Sequence, residues 1–209
     1  MAAHESVEID PATAQAEETY KLLVGAVVPR PIAWVTTLTK SGRVNLAPFS
    51  CFTFVSSKPP MVAISVGRLV GKLKDTARNI AERGEFVVHI ADESQVELVH
   101  RSSQEYPEEV SEAELLGMEM VPSRRVAVPR LAAAPVALEC RHERTVEFGK
   151  LRAQLIAGEV VNFHIAESLY REGKIDATRF RPIARLGGPR YARLGEIITL
   201  QPVFVTPKS

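Results

Sequence analysis

PRPIAWVTTLTKSGRVNLAPFSCFTFVSSKPPMVAISVGRLVGKLKDT, residues 29–76, decides the fold class of this 209-residue chain. It opens with an apolar, β-branched run, Ile32 to Leu38, and turns at Lys40-Ser41-Gly42. A second run from Val44 to Val55 has a small, polar middle. After Pro59-Pro60 a third run covers Met61 to Val66. Three strands joined by short turns is the economical reading. The third strand then feeds a segment containing Gly67, Arg68, Gly71, Lys72, Lys74, Asp75 and Thr76, which opens a helical pattern through Arg83. A strand, a Gly- and Lys-containing loop and a helix start together make a place where backbone N–H groups and a positive dipole end hold an anion. A phosphate site is the first expectation here, and a solvated basic rim is the alternative. The loop is not a P-loop: three residues separate Gly67 from Gly71 where that motif has four, and Leu73 stands where it needs Ser or Thr.

Within this stretch the first strand places Ile32, Trp34, Thr36 and Leu38 on one face and Ala33, Val35 and Thr37 on the other. Neither face is polar, so the strand belongs in a sheet covered on both sides. Trp34, the only tryptophan, reads as a core or interface anchor, with ring-to-ligand contact as the alternative. The second run carries Asn45, Leu46, Ala47, Pro48, Phe49 and Ser50. Pro48 cannot donate to a central ladder, so the strand is kinked, bulged or at an edge there. Amides freed by a kink, with Asn45 and Ser50 beside them, make a polar cradle facing the basic loop.

Outward from the stretch, residues 1 to about 16 form a mobile arm with a short strand at Val7–Ile9, and one domain covers 17–209. Glu17 to Val24 is a helical turn or an approach strand. Glu85 to Ala91 reads as a strand, with His89 structural within it, and Ser94 with Glu97 makes a capping box for a helix through Arg101. Glu105 to Glu119 is acidic and is read as a surface flap, with a lid as the alternative. Val136–Val146 and Leu151–Phe163 form a hairpin around Glu147-Phe148-Gly149-Lys150. Arg185-Leu-Gly-Gly188 precedes Tyr191, and a last strand runs from Ile197 to Leu200. With seven or eight strands and few short helices, the chain is mainly β with helical insertions, a barrel rather than a doubly wound sheet.

Composition narrows the function. A net charge of +1 argues against bulk electrostatic binding of nucleic acid. Cys51 and Cys140 make no framework and are expected reduced and buried. The five histidines lack zinc spacing, so no metal is expected. The N-terminus has no apolar signal region and no stretch is long enough to span a bilayer, which predicts a cytoplasmic protein.

Arg30-Pro-Ile-Ala-Trp-Val-Thr36, Asn45-Leu-Ala-Pro-Phe-Ser50, Pro59-Pro60, Lys74-Asp-Thr76 with Asn79-Ile80, and Arg185-Leu-Gly-Gly188 with Tyr191 together resemble the flavin reductase-like, FMN-binding split-barrel family that includes flavoredoxin. The resemblance runs from about Tyr20 to Leu200. It implies a split β-barrel that forms a homodimer, with FMN bound non-covalently near the interface. It implies that Asn45, Leu46, Ala47, Pro48, Phe49 and Ser50 contact the flavin, with Trp34 and Ser65 near it. Arg68, Lys72, Lys74, Asp75 and Thr76 take the phosphate side, and Arg185 and Tyr191 lie at or near the site. The chemistry would then be the cofactor's: electrons pass from NAD(P)H through flavin to a flavin or another acceptor. The alternative is a flavoredoxin-like carrier reduced by an electron-transfer protein partner, without a nicotinamide site of its own. No acid–base dyad is evident, and His164 and Tyr191 are the polar candidates for touching substrate.

Overall fold

The computed structural model of the protein describes residues 5–69 and 71–201. Its first regular element is helix α1, Ala16–Ala26, so the segment left open between helix and strand is helical. The seven strands of the main sheet are β2 (Ala33–Leu38), β3 (Val44–Phe49), β4 (Phe52–Ser57), β5 (Pro60–Val66), β8 (Glu85–Ile90), β11 (Val136–Phe148) and β12 (Ala153–Ile165). Around it stand β1 (Arg30–Pro31), a hairpin of β6 (Arg68–Leu69) and β7 (Lys72–Leu73), and two more short pairs. These are β9 (Met120–Val121) with β10 (Arg130–Leu131) and β13 (Tyr170–Arg171) with β14 (Lys174–Ile175). β15 (Ile183–Arg185) and β16 (Tyr191–Arg193) complete a small sheet with β1. Helices α2 (Asp75–Arg83), α3 (Val96–Arg101) and α4 (Glu112–Leu115) fill the ends.

The main sheet runs β3-β2-β8-β11-β12-β5-β4, with every neighbouring pair antiparallel. The sheet curls so that β3 returns against β5 without pairing with it. This is a barrel with an unpaired seam. Its interior holds Ala33, Val35, Phe49, Ile64, Phe86, Val88 and Ile156, closed at one end by Ala77 and Ile80 of α2. On the opposite face of β2, Trp34 packs with Ile32, just before the strand, and with Leu46, Val99, Ala113 and Leu131. Both faces of β2 are therefore covered, as its unbroken apolar pattern requires.

The second run is corrected: Val44–Val55 is not one strand. It breaks at Ser50-Cys51 into β3 and β4, which occupy opposite edges of the sheet. Pro48 thus sits on an edge strand, where its missing N–H costs no ladder bond. Cys140 is buried, but Cys51 is exposed, because it lies where the chain leaves one edge for the other. Helix α2 ends at Gly84 in the left-handed conformation (φ +70°), which a glycine adopts without steric cost.

Other expectations shift. The capping box belongs to Asp92 and Gln95, not Ser94 and Glu97: Asp92 caps a 3₁₀ turn, Glu93–Gln95, that leads into α3. The β11–β12 turn falls at Gly149–Arg152, two residues later than expected. Neither Val7–Ile9 nor Ile197–Leu200 forms a strand, since no sheet edge reaches them. Residues 1–4 of the expected arm lie outside the described residues. Among the described residues no helix is long and apolar enough to cross a membrane, and no cluster of His, Cys, Asp or Glu is arranged to hold a metal ion.

Candidate functional site

Two cavities meet along β3. The first, about 120 Å³, is lined by Asn45, Ala47, Pro48 and Phe49 on one side and by Leu69, Leu73, Lys74, Asp75 and Thr76 on the other. The second, about 400 Å³, is lined by Pro48, Ser50 and Lys74 together with Arg30, Arg185 and Tyr191. Pro48, Lys74 and Ser103 belong to both, so the cavities form one groove. The edge strand around Pro48 and the start of α2 do face one another, with Lys74 between them.

The local sequence explains the groove. β6 and β7 fold the Arg68–Leu73 loop into a tight hairpin turned at Gly71 (φ +79°), which delivers Lys74 as the N-cap of α2. The free amides of that helix's first turn open beside Thr76. Thr76 is buried, and its hydroxyl accepts from Asn45 Nδ2 at 3.0 Å. Asn45 and Asn79 both donate to Thr37 Oγ1, at 3.3 and 3.0 Å, so the floor of the cavity is a connected polar network.

Several expected site residues lie elsewhere. Trp34 is fully buried in the second core, its indole N–H donating to Ser102 Oγ at 2.9 Å; it is the anchor, not a cavity wall. Leu46 likewise turns its side chain into that core. Arg68 points away, held by Glu147 (2.5 Å) and the Arg152 carbonyl, while Lys72 and Ser65 line neither cavity. The hairpin turns Arg68 outward across its two-residue ladder and leaves Leu69 and Leu73 to the groove. His164 is on a different surface, bonded to Glu139 and Asn162 and lining a separate cavity with Arg130. It serves Glu139: burial pushes that carboxyl up, but the Arg124 and Arg125 amides and His164 hold it below its usual range.

The polar cradle is also narrower than expected. Pro48 has no N–H, and the Leu46 N–H is already taken by Glu112 Oε2 at 2.9 Å. Glu112 was hidden inside the acidic segment read as a surface flap. Helix α4 carries it inward, 7% exposed, to line the first cavity beside Glu105 and Tyr106. Burial raises its carboxyl above its ordinary value, against the Leu46 amide that favours the anion. Its sequence signal was slight: a Glu beside Ala113 on one helical turn. At the other end, Arg185 lies over the Tyr191 ring, 4.6 Å from its centroid, and donates to its hydroxyl, which also lies 3.2 Å from His100 Nδ1. Burial raises the Tyr191 phenol, opposed by Arg185.

A curled antiparallel barrel with its seam opening on a groove defines a flavin reductase-type split barrel, and residues 24–183 match the flavin reductase like domain; the chain belongs to that family. It is similar to nitrilotriacetate monooxygenase component B from Bacillus cereus, 41% identical, covering 95% of this chain and all of that one, with a TM-score of 0.92. It is also similar to the 2-nitrobenzoate 2-nitroreductase NbaA of Pseudomonas fluorescens, 34% identical over 97% and 99% of the two chains, TM-score 0.87. The flavoredoxin of Desulfovibrio vulgaris is 25% identical, covering 83% and 91%, TM-score 0.74.

Proposed function

We propose that the protein is an oxidoreductase that binds FMN in this groove and passes electrons from NAD(P)H through it to a flavin or another acceptor. The observation that carries the reading is the shared cavity of β3 and the start of α2. There Lys74, the Thr76 hydroxyl and the first-turn amides of α2 would hold the phosphate. The residues fit such a group. Of the three carboxylates that line the cavity, Asp75 is paired with Arg78 at 2.7 Å and Glu112 accepts from the Leu46 N–H, leaving Glu105 beside them. Ala47, Pro48 and Phe49 offer small and apolar contact for a flat ring, and Ser50 and Tyr191 polar contact beyond it. Bound flavin supplies the redox chemistry, exchanging a hydride or single electrons. The chain's part is to orient the ring, shield one face and leave the second cavity open.

The purified or reconstituted protein is expected to be yellow, and its flavin absorbance to bleach with NADH or NADPH in stopped-flow mixing. A colourless protein that ignores added FMN refutes the reading. Flavin that binds but stays oxidised with both nucleotides identifies the carrier reduced by a protein partner. Replacing Lys74 and Thr76 together by Ala should weaken FMN about 10-fold or more while leaving riboflavin nearly unaffected, because a charge-assisted bond is worth about 1.5–3 kcal/mol. Equal losses for the two ligands, measured by fluorescence titration, remove the phosphate assignment.

We also propose a homodimer through the β4 edge. Phe54 (77% exposed) and Phe163 (53%) flank an apolar cavity of about 400 Å³ with Phe52, Met61, Leu138 and Val160. An unpaired edge with exposed aromatics is a template for a second chain. Light scattering should give twice the 23.0 kDa chain mass, and Phe54→Glu should give a monomer.

A further inference from the structure

The small sheet beside the groove sets like charges side by side. Arg30 of β1 and Arg185 of β15 are direct register partners, so their side chains leave the same face; Tyr191 of β16 is in turn the partner of Arg185. Like charges directly opposite across strands are destabilising. Lys74 adds a third cation to the same cavity, and among the described residues no carboxylate lines it. None of the three cations has a carboxylate partner within 4.0 Å among the described residues. The first cavity, by contrast, holds Asp75, Glu105 and Glu112 against the single cation Lys74.

The two arginines are held differently. Arg30 is 7% exposed and fixed: its Nη1 donates to the Val24 and Val27 carbonyls at 2.7 and 2.6 Å, its Nη2 to Leu186 at 3.0 Å. Those bonds pin the end of α1 to the turn after β15 and keep a positive charge at the back of the cavity. The Arg185 guanidinium makes one hydrogen bond among the described residues, from Nη1 to the Tyr191 hydroxyl, and the ring beneath restrains its plane. The remaining guanidinium donors are unspent. Ile32, Val24, Val99 and Pro48 supply apolar wall around them.

We propose that the second cavity binds a second ligand beside the flavin: a small molecule with an apolar body and an oxyanion, the oxyanion received by Arg185 against the fixed charge of Arg30. As a site for an electron acceptor or donor it rests on the flavin reading; as an anion site it stands alone. The oxyanion has two sources, the carboxylate of an aromatic acceptor or the pyrophosphate of a nicotinamide donor.

The test titrates the full chain, with and without FMN, with benzoate, its neutral isostere benzamide, and ADP-ribose, by calorimetry and saturation-transfer NMR. Benzoate is expected to bind about 10-fold or more tightly than benzamide, as one charge-assisted bond requires, and to weaken with added salt. Arg185→Gln should abolish the preference and Arg185→Lys should keep part of it. ADP-ribose displacing benzoate assigns the site to the donor's phosphate; failure to displace assigns it to a carboxylate acceptor. Equal affinity for benzoate and benzamide in the unsubstituted protein overturns the proposal. So does an Arg185→Gln variant that loses FMN affinity as much as benzoate affinity, which would give Arg185 to the flavin. If FMN does not bind at all the flavin reading fails, while the benzoate preference of the flavin-free chain still decides this one.

Discussion

Glu112 meets the groove through one oxygen on the Leu46 amide and a burial that disfavours its charge. The sign of its effect on stability follows from linkage. Its folded value is raised, so between its ordinary value near 4.5 and that raised value the folded state holds the proton more strongly than the unfolded chain. Stability from this group is present below about 4.5 and falls as pH rises through the raised value. Glu112→Gln keeps an acceptor for the Leu46 N–H and removes the charge. Its stability relative to the unsubstituted protein should grow as pH rises above 4.5, measured by urea unfolding; a constant difference would mean the buried charge carries no penalty. Residue types alone placed Lys74, Asp75 and Thr76 at a helix start, where the structure has them lining the first cavity, because helix-start chemistry is local. They could not point to Glu112, whose burial depends on a helix packing across the mouth of a barrel.

At the scale of elements, the strands were legible because apolar alternation and turn residues are local signals. The break at Ser50-Cys51 was not: a run from Val44 to Val55 reads as one strand, and only barrel closure sends its halves to opposite edges. The pairing of β5, β12 and β11 depends on a feature equally silent in the sequence. Gly158 of β12 lies over Phe86, so that a Cβ there would sit 2.5 Å from the ring and 3.0 Å from the Arg141 carbonyl. Phe86 is wholly buried at the barrel centre and cannot give way freely. Gly158→Ala should destabilise by about 1–3 kcal/mol, read as a lower thermal midpoint. Adding Phe86→Leu should recover part of that loss, and an additive double variant would show that the clash lies elsewhere.

For the whole molecule, His89 ties the two cores together. It is fully buried between β2 and β10, Nδ1 donating to the Trp34 carbonyl at 2.8 Å and Nε2 accepting from the Leu131 N–H at 3.0 Å. That pair of bonds assigns the neutral tautomer, and a second proton would face an N–H. Burial, with Arg130 and His164 nearby, lowers its pKa to about 4, while the Trp34 carbonyl opposes the shift. The unfolded chain takes up the proton near 6.5 and the folded one does not until about 4. Stability from His89 is therefore complete above 6.5 and lost as pH falls toward 4. Its size is about 3 kcal/mol. His89→Gln should be less stable at pH 7 and lose less on acidification, measured by denaturant midpoints at the two pH values.

By itself the sequence determined the strand-rich class, the covered strand around Trp34 and the helix start at Lys74-Asp75-Thr76. All of these follow from periodicity and capping within a dozen residues. Only the tertiary structure decided that β3 and β4 part company, that Trp34, Arg68 and His164 stand outside the groove, and that Arg30, Arg185 and Tyr191 share one row. Those outcomes depend on contacts such as that between Arg30 and Arg185, 155 positions apart. Chain closure brings such residues together, and no local propensity encodes it.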